Sequence, residues 1–140
     1  MSPGGIDREV VRRHLMALDR ALETLGRHRG STAADLAADR ELRWVVERGL
    51  QLCAQNALDI ATHWAAAAGH DVPDYASAID RLAELEVLPH ELAARFRAIA
   101  GFRNVLVHGY LDVDLEIVAE ALHTRLDDFV EFARRIEARL

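Results

Sequence analysis

The sequence predicts an all-α protein, an up-and-down bundle of about five helices, and three observations carry that reading. Apolar residues recur at three- and four-residue steps through most of the chain. No segment shows the strict apolar–polar alternation of a half-buried strand, and no internal repeat or low-complexity tract interrupts the pattern. Helix stop and start signals separate the periodic segments: Arg27-His28-Arg29-Gly30, the loop Gly69 to Asp74, Pro89, and Gly109. At 140 residues the chain is expected to form one domain, residues 1–140, long enough to bury a substantial core.

The first helix, Asp7 to about Arg27, carries Val11, Leu15, Leu18, Leu22 and Leu25 on one stripe, bordered by His14 as a packed or edge residue. A short helical turn follows from Ser31 through Leu36, with Asp35 or Asp39 available as caps. A long helix from about Arg40 to Ala68 repeats Leu42, Val46, Gly49, Cys53, Asn56, Ile60 and His63, and Val45, Leu52, Ala57, Ala61 and Trp64 widen its apolar face. So broad a face implies burial on two sides, in the centre of a bundle or against a second subunit. Asn56 and His63 interrupt that seam and are expected to make structural hydrogen bonds, as a seam asparagine does when it fixes register. Asp74 caps a short helix carrying Ile79, Leu82 and Leu85. Pro89 opens the next, and Asp112 or Asp114 caps a last helix whose stripe runs from Leu115 to Leu140.

Composition excludes several classes. Hydrophobic residues make up 51% and charged residues 29%, with no run of about 18 apolar residues for a membrane span. The N-terminal Met-Ser-Pro-Gly-Gly-Ile-Asp lacks the basic and apolar regions of a signal peptide, so a cytoplasmic protein without membrane association is expected. A net charge of -6 argues against a nucleic-acid binder held by a broad basic surface, and any RNA contact has to be local. Every basic residue is arginine, which suits phosphate recognition better than lysine. Cys53 stands alone among apolar neighbours, where a buried thiol is the default.

One stretch departs from this plain pattern. Gly101-Phe102-Arg103-Asn104-Val105-Leu106-Val107-His108-Gly109-Tyr110 ends the fourth long segment. Arg103 occupies the register position between Ile99 and Leu106, so a guanidinium lies on the stripe that faces the core and needs a partner or a ligand. Asn104 and His108, four apart, share a neighbouring face, and Gly109 is the residue expected just past a helix end. Each residue alone has a structural explanation: a histidine favours the negative end of a helix, and an arginine can extend its head to solvent. Taken together, an arginine for a phosphate, an imidazole for proton transfer, Asn104 and the phenol of Tyr110 point to an active site.

Other chemistry has weaker signals. Glu120 and His123 have the spacing that di-iron bundles use, but such a site needs the pair twice plus two further glutamates, so no metal is expected. Gly-rich phosphate loops, Cys-x-x-Cys and Gly-x-Ser-x-Gly do not occur, and the residues call for no cofactor.

Arg103 to His108, with Gly101-Phe102 before and Gly109-Tyr110 after, resembles the signature of HEPN-domain ribonucleases, in particular the HepT-like toxin branch. Arg48-Gly49-Leu50-Gln51 on the long helix, Asp74-Tyr75, Val87-Leu88 and Val113-Asp114 extend the resemblance over most of the chain from about Arg40. The resemblance implies a metal-independent endoribonuclease working as a homodimer, built through the motif helix and the long helix, with two motif helices at a composite cleft. Arg103 and His108 would be catalytic, and Asn104 would bind substrate. Tyr110 would be the tyrosine to which an MntA-like nucleotidyltransferase antitoxin attaches AMP, adding charge and bulk that block RNA phosphates. Tyr110 also has a plain reading as an anchoring aromatic past a helix end. The alternative to an enzyme is a non-catalytic helical module that grips a nucleotide or a protein partner through Arg103, with His108 as a structural cap.

Overall fold

A computed structural model describes residues 5–109 and 113–140, and among these every regular element is helical. Seven helices follow one another: α1 (Arg8–Gly26), α2 (Ala33–Ala38), α3 (Arg40–Ala67), α4 (Tyr75–Glu84), α5 (His90–His108), α6 (Leu115–Thr124) and α7 (Leu126–Glu137). The all-α class stands, and the larger helix count has two sources. The short turn after α1 is a helix in its own right, and the last predicted helix is two, divided at Arg125.

Side-chain caps mark most starts. Asp7, Asp39, Asp74 and Asp114 each accept a backbone N–H from the first turn of α1, α3, α4 and α6. Thr32 and Asp35 form a reciprocal capping box on α2, so the short helix starts at Ala33, two residues after the expected Ser31. At α4 the Ser77 N–H donates to Asp74 at 2.7 Å and holds that carboxyl below its ordinary range.

The core is organised around α3, which packs against each of the other six helices. Val11, Leu15, Leu18 and Leu25 of α1 lie against it, and Val46, Leu50, Cys53, Leu58 and Ile60 of α3 are buried. Gly49 permits the crossing, because a Cβ there would stand 2.6 Å from Leu25 Cδ2. The α5–α7 contact is aromatic: Phe96 packs edge-on to Phe129 at 5.4 Å and stacks on Phe132 at 4.8 Å.

The expected polar links on the α1–α3 seam are present. Asn56 Oδ1 pairs with His14 Nδ1 at 2.8 Å while its Nδ2 donates to Leu52 O, and the Asp7 N–H donates to His63 Nε2 at 3.0 Å. Both residues therefore fix how α1 lies on α3. The apolar face of α3 is wider than one chain covers, with Trp44 62% and Val45 40% exposed. Among the described residues no helix is long and apolar enough to cross a membrane.

Candidate functional site

Where α5 runs past the Phe96 cluster, its inward stripe leaves the core and meets the middle of α3 and the start of α4. Arg103 is the stripe residue at that level, and it is half-buried. Its Nε donates to Gln55 Oε1 of α3 at 2.8 Å, and its Nη1 donates to the Asn104 side-chain oxygen at 3.0 Å. The guanidinium lies over the ring of Tyr75, 5.6 Å from the centroid, in cation–π contact. Gln55 is held in turn, since its Nε2 donates to Asp59 Oδ1 at 2.9 Å and to the Tyr75 hydroxyl at 3.2 Å.

The partners are unusual in kind. Nine arginines of the described residues sit within ion-pair distance of a carboxylate, and Arg103 is not among them. Among the described residues its contacts are two amide oxygens and an aromatic face, which orient its charge without neutralising it. That arrangement suits an anion arriving from solvent.

His108 is the last residue of α5 and is exposed. It stands five positions after Arg103, so the two project from α5 about 140° apart. Asn104, also exposed, lies on the His108 side by its four-residue spacing and touches Arg103 through its oxygen. Asn104 thus stands between the Arg103 and His108 directions. Tyr110 lies outside the described residues.

Gly109 follows α5 for a reason other than the one its position suggested. Its φ is -86°, an ordinary value, but a Cβ would come 2.6 Å from Val105 O and 3.0 Å from Val113 Cγ2. Close approach of the chain, and not a left-handed backbone, selects glycine.

The Glu120 and His123 pair does not converge on a common point. His123 Nε2 is 2.7 Å from Ser31 O, and Glu120 is exposed beside the shallow cleft between α5 and α6. Among the described residues no three His, Cys, Asp or Glu side chains cluster as a metal site would require. Cys53 is buried, and burial pushes its thiol up to about 12, which leaves it protonated and unreactive at neutral pH.

Gln55, Asp59 and Tyr75 are the site residues that pattern reading missed. Their one available signal was Gln55 and Asp59 at a four-residue spacing on the polar side of α3, which looks the same as a solvated edge.

Comparison with known proteins follows this geometry. Residues 17–136 match the family described as Ribonuclease HepT-like. The chain is 28% identical over 137 residues to the tRNA nuclease HepT of Aphanizomenon flos-aquae, covering 96% of this chain and 92% of that protein. Over 90 residues it is 29% identical to the mRNA nuclease HepT of Shewanella oneidensis, covering 64% of this chain and 68% of the relative. Its fold is similar to that of a solved tri-AMPylated HEPN toxin of Shewanella oneidensis in complex with an MNT antitoxin. That match has a TM-score of 0.80 at 22% identity and covers 92% of this chain and 97% of the other.

Proposed function

The chain belongs to the HepT-like ribonuclease family, and from that premise we propose that it is a toxin endoribonuclease that cuts RNA without a metal at a homodimer cleft. The observation that carries the reading is Arg103: a half-buried guanidinium on the family's motif, gripped by Gln55 and Asn104 with no carboxylate among the described residues to cancel it.

The chemistry needs little else. When the ribose 2′-hydroxyl attacks the adjacent phosphorus, a base takes its proton, negative charge grows on the non-bridging oxygens, and an acid protonates the departing 5′-oxygen. Arg103 meets that charge with the N–H groups left over from Gln55 and Asn104. His108 moves the protons, and Asn104 orients the phosphate or the imidazole. Because Arg103 and His108 leave α5 on different sides, two copies facing each other would complete the set, with His108 of the second copy sharing the acid–base work. An acidic protein binds RNA this way by confining positive charge to the cleft.

Control by a nucleotidyltransferase antitoxin belongs to the same proposal. AMP attached to Tyr110, two residues beyond His108, would place a phosphate beside the groups that receive RNA phosphates. The comparison that supports this is the tri-AMPylated toxin bound to an MNT antitoxin.

The test is to incubate purified protein, expressed without any partner, with total RNA in EDTA, alongside Arg103→Ala and His108→Ala. Cleavage by the native protein that both variants lose by about a hundredfold or more is expected. Intact RNA with a native chain whose mass shows no modification would sink the proposal.

A further inference from the structure

We infer that Gln55 is a positioning residue for Arg103, with Asp59 and Tyr75 fixing which way its amide points. A carboxylate is acceptor-only, so Asp59 Oδ1 at 2.9 Å selects the Nε2 end of Gln55. Nε2 also donates to the Tyr75 hydroxyl at 3.2 Å. The Oε1 end is thereby turned to α5, where it takes the Arg103 Nε–H at 2.8 Å. The same Tyr75 whose hydroxyl sets the amide supplies the ring under the guanidinium.

The consequence is geometric. A long arginine side chain loses much rotamer freedom when it is fixed by Nε, by Nη1 and from one face, and the side chain is then preorganised before substrate arrives. Among the described residues its Nη2 takes no partner, which leaves that edge to a phosphate. The half-buried Gln55 and Tyr75 sit on two different helices of the core, α3 and α4, so the anchor is as rigid as the bundle.

The rate consequence rests on the ribonuclease reading, whereas the geometry does not, and two readouts keep them apart. Gln55→Met keeps length and bulk and removes the acceptor; Gln55→Glu keeps an acceptor for the Nε–H but loses the donor to Asp59 and Tyr75 and sets a carboxylate against the guanidinium. In ¹⁵N-arginine-labelled protein the Nε–H resonance missing from Arg103→Ala belongs to Arg103. It should exchange slowly in the native protein and in Gln55→Glu, and fast in Gln55→Met. On RNA, Gln55→Met should lower kcat by about tenfold to a hundredfold with a much smaller change in KM, and Gln55→Glu, whose carboxylate cancels the guanidinium charge, should not recover that loss. If the native protein cuts no RNA, the ribonuclease reading fails, and the exchange experiment still decides the role of Gln55. Slow exchange that survives Gln55→Met, or a kcat in Gln55→Met equal to that of the native protein, would overturn the inference.

Discussion

Arg103 shows how one side chain can be both a stabilised residue and an unspent charge. Its stripe position demands compensation, because a buried cation without partners costs several kcal/mol. The amide oxygens of Gln55 and Asn104 and the Tyr75 face supply it while leaving the net charge in place. Lysine would keep the charge but cannot reach Gln55, Asn104 and a phosphate from one planar fork. Arg103→Lys is therefore expected to fold normally, by thermal melt, yet to lose about a hundredfold or more in initial cleavage rate. Near-native rates in that variant would mean that a point charge is enough. Arg103, Asn104 and His108 were legible as candidates because a charged residue broke an apolar period; Gln55 was not, because a glutamine on the open side of a helix has no period to break. Which oxygen faces which donor is settled by α3, α4 and α5 together, and a single helix carries no record of it.

Two interior glycines separate packing from helix propensity, and they call for opposite outcomes. Glycine in mid-helix costs roughly 0.5–1 kcal/mol relative to alanine. At Gly49 that gain would be outweighed, because the new Cβ meets Leu25 Cδ2 at 2.6 Å and Cγ at 2.8 Å, and Leu25 is fully buried. Overpacking of this kind costs about 1–3 kcal/mol, so Gly49→Ala should lower stability in urea unfolding. Gly101 has nothing within 4 Å of its would-be Cβ, and Gly101→Ala should raise stability by about 0.5–1 kcal/mol. Matching signs for the two would show that propensity alone governs them. The helices themselves were readable from periodicity and caps, down to Asp74 and the polar seam residues Asn56 and His63. The break at Arg125 was not, since Leu122, Leu126 and Phe129 are all buried and keep the apolar stripe in step across it. A stripe reports which side is buried and says little about where the backbone turns.

For the molecule as a whole, the two helices that bear the site carry exposed apolar side chains, as do α1, α6 and α7 with Met16, Ile117 and Val130. Trp44 and Val45 on α3 and Val105 on α5 are 62%, 40% and 43% exposed, and Arg103 and His108 point to different sides of α5. The proposed homodimer, built through α3 and α5, would cover Trp44, Val45 and Val105 and bring the polar groups of two copies together in one step. Its mass would be twice 15.6 kDa, about 31 kDa, in equilibrium sedimentation. The sharper test lies in mixing. If the cleft draws on both copies, unfolding and refolding the native chain with a severalfold excess of His108→Ala traps it in incomplete dimers, and cleavage per native chain falls in step with the excess. If each chain is a complete enzyme, the same excess leaves cleavage per native chain unchanged, and the composite cleft is wrong even where sedimentation reports a dimer. Dilution adds an independent constraint, because a site assembled from two chains must lose specific activity over the same concentration range in which the sedimenting mass falls to 15.6 kDa.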